Sequence, residues 1–599
     1  MRRRDLLAGL AASSLSPAGN LAARATPAIV RRARPNDPDW PNETQWRSLD
    51  RLVGGNLLQP TSLYGVCPTA PASAACQQIL PNLRNPFYIS DQPGGAQITG
   101  WLDAWQPALS PYAVAAHSTA DVVAAVNFAR RHNLRLAVKG GGHSYQGTSN
   151  APDSLLIWLH PMREVVLHDA FIPAGGDEPF PAAAIEAGAL WIDAYDVVAV
   201  QNGRYVQGGG CTTVGVAGHV QSGGFGSFSK CFGTAASNLL EAEVVCADGR
   251  VLVCNEHRDP ELFWALKGGG GGSFGVVTKV TVRTHPLPAN FGWASGKIKA
   301  NSDAAFQRLI AQMISFYAEA LFNAHWGEQV HFAPDNTLEL SFVSQGLSAA
   351  EAQRIWAPFL AWLAASPADY AIVDEIDVGA GDARKWWDTA YHRAHGSSMH
   401  FDPRPGAPAR NAWWAGDGDQ VSVFLHGYDS IWLPQSLLQP EAQPKLAEAC
   451  FTASRSMSVG LHFNKGLAGA SDEARAAARN TATNPGAVEA FALAIVATGG
   501  PPPFLHIPGL EADLASAHAN ARAVARSAAA LRAVGDLGSY VSESDYFNAQ
   551  WRQGFWGSNY ARLLAAKHRY DPDGLFIVHH GVGSEDWSAD GFTRIAPSR

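Results

Sequence analysis

The chain has 599 residues, of which 47% are hydrophobic and only 16% are charged. This length predicts more than one packed lobe, since single hydrophobic cores rarely grow beyond about 300 residues. The formal net charge of −8, without a stripe of Lys and Arg, argues against nucleic acid as a partner. No run beyond the amino terminus approaches the roughly 18 apolar residues of a membrane span.

The amino terminus has the pattern of an export leader. Arg3-Arg4-Asp5-Leu6-Leu7 approximates the twin-arginine pattern, an apolar run follows to Leu15, and Ala23-Arg24-Ala25 is a plausible cleavage site. We therefore predict a signal peptide over residues 1–25 and export by the twin-arginine route, to the periplasm or outside the cell. The alternative is a basic tail without a targeting role.

Seven cysteines leave at least one without a partner in the chain. Cys67 and Cys76 are spaced to form a disulfide in an oxidising compartment. Cys246 and Cys254 flank a hairpin turn, where they are expected on opposite faces and unbonded. Cys211 is the remaining candidate for a bond to something other than cysteine.

The first glycine cluster, Gly140-Gly141-Gly142, follows a predicted helix over residues 119–133 and a predicted strand over 134–138. Ser118-Thr119-Ala120-Asp121 has the pattern of a capping box that opens the helix. Three glycines allow backbone N–H groups to close on an anion such as a pyrophosphate, and His143 follows them directly. The pattern predicts a cofactor clamp.

A second glycine cluster covers residues 208–226, with Cys211 inside it. The ordinary interpretation of a cysteine is a small buried hydrophobe, but the glycine setting favours a ligand. A third cluster, over residues 268–275, contains G-x-G-x-x-G. The dinucleotide fingerprint requires a strand before it and a helix after it, whereas here the order is reversed. We therefore exclude a Rossmann fold.

Three separated motifs carry a family resemblance. They are Lys139-Gly-Gly-Gly-His143-Ser-Tyr145, then Cys211-Thr-Thr-Val-Gly-Val-Ala-Gly218-His219 with Ser222-Gly-Gly-Phe-Gly226, and a tail with Tyr540-Val-Ser542, Asn559 and Tyr570-Asp-Pro-Asp-Gly-Leu-Phe576. Together they resemble the berberine-bridge-enzyme-like branch of the vanillyl-alcohol-oxidase (VAO) flavoprotein superfamily.

The resemblance implies an α+β fold of two lobes. A PCMH-type FAD-binding lobe of two α/β subdomains is expected over residues 50–288, and a substrate lobe with an antiparallel sheet backed by helices over 289–535. Residues 536–599 are expected to return to the flavin lobe as a berberine-bridge-like segment. The Pro-rich stretch 284–288 is a natural boundary.

The resemblance also implies FAD bonded through histidine to the 8α-methyl group and through cysteine to C6. The matching positions are His143 and Cys211, so we predict bicovalent FAD. No metal is expected, because the histidines lack a ligand pattern. Further cofactor contacts are predicted at Lys139, Gly140, Gly141, Gly142, Ser144, Gly147, Gly210, Thr213, Gly215, Gly218, His219, Ser222, Gly223, Gly226, Val277, Ser542 and Asn559.

Oxidation of an alcohol by flavin needs a base for the hydroxyl proton. The resemblance points to Tyr540, although Ser542 stands where the family usually has Asn, and Tyr145 resembles a second position lining the site. A tyrosine of pKa about 10 needs nearby positive charge to act as a base at neutral pH, and Lys139 is one possible source.

The predicted substrate lobe is rich in tryptophan. Trp faces suit sugar rings, so a carbohydrate or oligosaccharide alcohol is the first expectation and an aromatic or alkaloid-like metabolite the second. Core packing is the alternative for these side chains: Trp386, Trp387, Trp413, Trp414 and Trp432.

Dioxygen is the expected electron acceptor, because Gly208, Gly209 and Gly210 leave room near the flavin. A dehydrogenase that does not use dioxygen and a flavoprotein that only binds a ligand are the alternatives. The oligomeric state stays open.

Overall fold

The structure is a computed structural model that describes residues 31–502, 507 and 510–595. The predicted signal peptide lies outside the described residues. Among the helices of the described part, none has the length and apolar character needed to cross a membrane.

Twenty strands are present in the described residues. In chain order they are β1 (Leu57–Leu58), β2 (Ile98–Trp101), β3 (Tyr112–Ala115), β4 (Arg135–Lys139), β5 (Ser154–Trp158), β6 (Val165–Phe171), β7 (Phe180–Glu186), β8 (Arg204–Val206), β9 (Leu239–Val245), β10 (Val251–Cys254), β11 (Val276–Pro286), β12 (Asn290–Ala300), β13 (Trp326–Phe332), β14 (Thr337–Gln345), β15 (Tyr370–Asp382), β16 (Met399–Phe401), β17 (Ala412–Trp414), β18 (Val423–Pro434), β19 (Val459–His462) and β20 (Ala490–Gly500).

The α-helices of the same residues are α1 (Glu43–Leu52), α2 (Ala74–Ile79), α3 (Pro86–Ser90), α4 (Thr119–Arg131), α5 (Trp191–Tyr195), α6 (Val216–Gln221), α7 (Ser229–Phe232), α8 (Pro260–Leu266), α9 (Asp303–Phe316), α10 (Ala349–Ala364), α11 (Thr389–His395), α12 (Ala415–Gly418), α13 (Gln443–Ser454), α14 (Asp472–Arg479), α15 (Gly486–Glu489), α16 (Leu514–Arg532), α17 (Trp551–Trp556) and α18 (Tyr560–Tyr570).

Three large sheets organise the part of the chain that the structure describes. The first has the order β1-β3-β5-β4 with parallel pairs β3–β5 and β5–β4. The second is antiparallel, in the order β10-β9-β11-β7-β6, and β8 pairs with β11. The third has eight strands in the order β15-β12-β14-β13-β19-β20-β18-β2, with α10 and α16 packed on it. The mixture of helices with parallel and antiparallel sheets confirms the predicted α+β class.

The two largest hydrophobic cores of the described residues accompany these sheets. The first joins the first two sheets and includes Trp551, Trp556 and Leu563 from the C-terminal segment, which therefore packs with residues of the FAD-binding region. The second lies between the eight-stranded sheet and its helices. Strand β2 is in the range predicted for the FAD-binding lobe, but Ile98 pairs with Val423 of β18 in the third sheet.

Local sequence signals explain the elements around the first glycine cluster. Helix α4 begins where Ser118 accepts a hydrogen bond from the backbone N–H of Asp121, and β4 follows after a short turn. The Asp121 carboxylate accepts from the backbone N–H of His117, one residue before the cap, which is a variation on the predicted capping box. Cys67 and Cys76 form a disulfide, while Cys211, Cys246 and Cys254 are free.

Candidate active site

The first two glycine clusters cross at their backbones. A Cβ atom on Gly141 would lie 2.8 Å from the backbone nitrogen of Gly215, and one on Gly215 would lie 2.9 Å from that of Gly141. Both distances are shorter than real Cβ contacts, so the crossing requires glycine on each side. The crossing brings two segments that are distant in sequence to one place.

Thr213 joins the two predicted attachment residues at this crossing. Its Oγ1 atom lies 3.1 Å from Nε2 of His143 and 3.4 Å from Sγ of Cys211. One hydroxyl therefore contacts two side chains that are far apart in the chain. Such an arrangement can present both side chains to a single group.

Burial sets the protonation of both side chains. It lowers the pKa of His143 to about 4, so the imidazole is neutral at neutral pH and keeps a lone pair for bonding. Burial, with a smaller contribution from the Asp417 carboxylate, raises the pKa of the Cys211 thiol well above its ordinary value. The histidine is therefore in its nucleophilic form, and the cysteine is not.

A cavity of about 1760 Å³ opens in front of this pair, and we call it the central cavity. Ligand pockets generally measure about 300–1,000 Å³, so its volume can accommodate a large cofactor together with a substrate. Its walls are drawn from segments 139–150, 208–228, 270–277, 385–398, 414–422, 462–465, 540–546 and 576–581.

The glycines of the cavity wall fit a flat or anionic group. A Cβ atom on Gly218 or on Gly271 would meet no atom of the described residues within 4 Å, and both glycines line the cavity. Gly218 is near the start of α6, where backbone N–H groups favour an anion. Together with the neutral imidazole of His143 and the thiol of Cys211, which both line the cavity, these surfaces suit FAD.

Gly218→Ala tests this face of the cavity directly. Alanine favours a helix over glycine by about 1 kcal/mol, so the variant should fold at least as stably as the parent. The added methyl group should lower the flavin content of the purified protein, measured from its visible absorbance. Gly226→Ala is the contrast, because its Cβ would lie 1.7 Å from the carbonyl oxygen of Gly208 and should impair folding. Full flavin content in Gly218→Ala would show that this face does not contact the cofactor.

Most predicted cofactor residues are on the cavity wall. The structure brings together there His143, Cys211, Lys139, Gly140, Gly141, Gly142, Ser144, Gly147, Gly210, Gly215, Gly218, His219, Ser222, Val277 and Ser542, with Tyr145 and Tyr540.

Four predicted cofactor residues are outside the wall. Thr213 lies behind His143 and Cys211, where its hydroxyl contacts both. A Cβ on Gly223 would meet Thr483, Gly226 packs on the Gly208 carbonyl, and the Asn559 amide donates to the carbonyl of Thr483 at 2.9 Å. Each of these residues contacts other protein atoms, and the sequence cannot separate a glycine needed for close packing from one that faces a ligand.

Lys139 does not supply charge to a tyrosine. Its ammonium group donates to the backbone carbonyls of Gln92, Pro93 and Gly95, and burial lowers its pKa to about 7. The lysine thereby ties the end of β4 to the loop over residues 92–95. Its predicted role as the group that lowers a tyrosine pKa is wrong.

The two candidate catalytic tyrosines line the cavity, and both are in the protonated phenol form. The Tyr145 hydroxyl donates to Oε1 of Gln420 at 2.9 Å, and Tyr540 packs edge-to-face on Phe225. Burial and the nearby Glu543 carboxylate raise the pKa of both candidates, so each is protonated at neutral pH. The Tyr540 oxygen accepts from the backbone N–H of Gly224 and contacts the side chain of Ser542, and its own proton is available to a substrate.

Three carboxylates in the cavity wall were not anticipated from the sequence. Asp417 lies beside Cys211, Glu328 accepts from the hydroxyl of Ser227, and Glu543 forms an ion pair of 2.6 Å with Lys465. Glu328 has a backbone φ of 65°, which is strained for a glutamate and is found preferentially at functional sites. The carboxylates come from separate segments, so no local pattern marks them.

The tryptophans divide between core and cavity. Trp413 and Trp432 are buried away from the cavity, as the core-packing interpretation expects, whereas Trp387 is buried and still borders the cavity. Trp386 and Trp414 are partly exposed, line the cavity and have ring centroids 5.8 Å apart. Trp293 and Tyr391 also line the cavity.

Comparison with known proteins adds to this geometry. A family model described as FAD binding domain matches residues 110–255, and one described as Berberine and berberine like matches residues 537–583. The FAD-linked oxidoreductase malF of Malbranchea aurantiaca is 29% identical over 604 residues, covering 95% of each chain. The VAO-type flavoprotein oxidase VAO615 of Thermothelomyces thermophilus is 28% identical over 596 residues, covering 94% of this chain and 95% of the relative.

Solved structures agree with these matches. The crystal structure of VAO-type flavoprotein MtVAO615 from Myceliophthora thermophila C1 has a TM-score of 0.77 and 26% identity, covering 94% of this chain and 100% of that one. Glucooligosaccharide oxidase from Acremonium strictum, with a 6-S-cysteinyl, 8α-N1-histidyl FAD, shares the fold at 20% identity and a TM-score of 0.58, covering 82% of this chain and 95% of that one.

The fold, the glycine-lined cavity and these matches define an FAD-linked oxidoreductase. Within that class, the chain has an FAD binding domain and a berberine-like C-terminal segment, and it is similar over most of its length to VAO-type flavoproteins.

Proposed function

We propose that this protein oxidises an alcohol by hydride transfer to an FAD bonded to both His143 and Cys211, with dioxygen as the electron acceptor. The observation that carries the proposal is the contact of the single Thr213 hydroxyl with His143 and Cys211. Glucooligosaccharide oxidase, which shares the fold, has an FAD that is bonded to both a cysteine and a histidine. The cofactor supplies the hydride acceptor, and the protein positions the alcohol and controls its proton.

Tyr145 and Tyr540 are proposed to hold the substrate oxygen as hydrogen-bond donors, which revises the expectation that Tyr540 is the base. Their raised pKa values leave no phenolate at neutral pH, and the negative charge of the nearby Glu543 opposes ionisation further. A carboxylate of the cavity wall is the better proton acceptor for the alcohol: Glu328, Asp417 or Glu543.

Tyr540→Phe distinguishes a tyrosine that donates a hydrogen bond to the substrate from one that acts as the base. Loss of one hydrogen bond should cost about 1–2 kcal/mol, which lowers kcat/KM by about 5- to 30-fold. The pH profile should keep its shape, since the phenol does not titrate in the neutral range. Steady-state kinetics from pH 5 to pH 9 provide the measurement. A loss of about 100-fold or more with a flattened profile would instead identify Tyr540 as the base.

The cavity supports two substrate classes. The adjacent rings of Trp386 and Trp414 on the cavity lining suit the flat face of a sugar ring, so a carbohydrate alcohol is the first candidate. Six carboxylates line the cavity against four basic side chains, and burial lowers the pKa of His143 and His219 to about 4, so these imidazoles add no positive charge. The carboxylates are Glu328, Asp377, Asp382, Asp417, Glu543 and Asp590, and the basic side chains are Arg135, Lys139, Lys385 and Lys465. This excess of negative charge favours a second candidate, an alkaloid-like alcohol that carries an amine.

The test is a screen of the purified protein against oligosaccharides, amino alcohols of alkaloid type and neutral aromatic alcohols. Bleaching of the oxidised flavin band and formation of hydrogen peroxide are followed together. Turnover of sugars alone supports the first class, and turnover restricted to cationic substrates supports the second. No bleaching with any alcohol would contradict the proposed function.

Dioxygen as acceptor has support from the name of the relative VAO615, which is an oxidase. Gly208 does not leave room for dioxygen as expected. A Cβ at Gly208 would lie 2.3 Å from the ring of Trp191, so the indole fills the space there. Gly210 is more open, since a Cβ there would lie 3.5 Å from Oε1 of Glu328. Stopped-flow reoxidation in air should be complete within seconds, and recovery over minutes would identify a dehydrogenase.

Export by the twin-arginine route is proposed from the leader sequence alone. Because this route carries folded proteins, a cofactor attached before export would be retained outside the cell. Replacing Arg3 and Arg4 by Lys should leave the flavoprotein in the cytoplasm of the producing cell, as measured by fractionation. Unchanged export of that variant would contradict the proposed route.

A further inference from the structure

Asp417 lies in α12 on the wall of the central cavity, beside the thiol of Cys211. The residue is half-buried because it faces the cavity, but its Oδ2 atom is shielded and has no hydrogen-bond partner among the described residues. The thiol of Cys211 and the backbone N–H groups of Thr212 and Trp414 contact the carboxylate group, but they lower its pKa by less than burial raises it. The Oδ2 atom remains free to accept a proton from the neighbouring thiol.

Attachment of Cys211 to a flavin ring carbon requires that the thiol lose its proton. The thiolate is the nucleophilic form of cysteine, whereas burial raises the pKa of this thiol well above its ordinary value. Free thiolate is rare under such conditions. A proton acceptor in contact with the sulfur is therefore needed, so that the thiol proton is removed as the new bond forms.

Asp417 is a better acceptor than the other groups at the sulfur. Burial, increased by the charge of Glu328, raises the pKa of the Asp417 carboxyl to about 6. The carboxylate is therefore ionised at neutral pH but more basic than an ordinary aspartate. His143 reaches the same Thr213 hydroxyl, but burial lowers its pKa to about 4, and its ring is the proposed second attachment point.

We propose that Asp417 is the general base that takes the Cys211 proton when the sulfur bonds to FAD, an inference that rests on the proposed bicovalent attachment. The S–H bond breaks and an S–C bond forms. The ring carbon loses its hydrogen as a proton, and the electron pair left on the ring passes to dioxygen, which takes up the two protons and becomes hydrogen peroxide.

The test follows attachment rather than turnover. Apoprotein from riboflavin-starved cells is given FAD in air, and tryptic peptides of residues around Cys211 and His143 are analysed for flavin by mass spectrometry over time. General bases contribute about 10²- to 10⁴-fold, so Asp417→Asn should form the Cys211 bond at least about 100-fold more slowly while still forming the His143 bond. Asp419→Asn is the matched control, since it makes the same change two residues away at an exposed site outside the cavity wall.

Two further measurements keep the inference testable if Asp417→Asn folds poorly. Asp417→Glu keeps the carboxylate and should form the Cys211 bond within about tenfold of the parent rate, as a retained base would. With the parent protein, the rate should rise as the pH increases through about 6, because only the ionised carboxylate accepts a proton.

Parent-like attachment in Asp417→Asn, or a parent rate that does not depend on pH near 6, would overturn the role of Asp417 and leave the bicovalent cofactor intact. Absence of a Cys211–flavin peptide from the parent protein would overturn both this inference and the proposed attachment. The two failures are thereby distinguished.

Discussion

The double variant His143→Ala, Cys211→Ala is expected to release its flavin on acid precipitation, whereas each single variant should keep a yellow pellet. One remaining bond is enough to hold the cofactor after the fold is lost, so colour should disappear only when both side chains are removed. The shared contact with Thr213 supports this, because it brings both side chains to one group. Absorbance of pellet and supernatant, with flavin mass on tryptic peptides, provides the measurement.

Cys231→Ala is the matched control for the cysteine change. Cys231 is also a free, partly buried cysteine, but it is not on the cavity wall. Its removal should leave both flavin bonds in place. A double variant that stays yellow after denaturation would place the attachment on other residues and contradict the proposed cofactor geometry.

Local chemistry explains why the surroundings of the first glycine cluster could be predicted. The Ser118 cap, the amphipathic pattern of α4 and the apolar run of β4 are determined within a few residues. The order of helix, glycine run and strand around residues 268–275 is also determined locally. The structure has this order, with α8 before the glycine run and β11 after it. Each of these signals acts over one turn or one strand.

The acidic part of the candidate site depends on tertiary contacts instead. Asp417 is more than 200 positions from Cys211, and Glu328 is strained in a strand of a different sheet. Nothing within a window around either residue distinguishes it from a solvated surface carboxylate. The raised pKa values appear only after the chain has buried these groups together.

The third family motif, in the tail, was also ambiguous between cofactor and structure. Asp571 of this motif does not line the central cavity, and it holds a turn together by accepting from the backbone N–H groups of Leu575 and Phe576. Its Oδ2 atom also lies 2.6 Å from the ammonium nitrogen of Lys567, and both side chains are at most 3% exposed. This part of the family motif is a buried structural ion pair.

Asp571→Asn is therefore expected to destabilise the protein strongly. Removing one partner of a buried pair generally costs about 3–5 kcal/mol, because the other charge is left without compensation. Here the Lys567 ammonium would keep the carbonyls of Ser273 and Phe576 as acceptors but lose its paired carboxylate. The midpoint of urea unfolding should fall markedly, and the C-terminal segment should become sensitive to protease before the rest of the chain.

Arg562→Ala provides the control on the same helix. Arg562 forms an ion pair of 2.8 Å with Glu261, but the two side chains are 48% and 42% exposed. Exposed pairs contribute about 0–1 kcal/mol, and the Arg562 guanidinium, 3.9 Å from the ring centroid of Trp264, adds about 0.5–1 kcal/mol at an exposed site, so this variant should shift the midpoint much less than Asp571→Asn. If Asp571→Asn and Arg562→Ala shift the midpoint equally, the Lys567–Asp571 pair does not anchor the tail. A clear separation between the two would show that the third motif stabilises the fold that holds the cofactor cavity together.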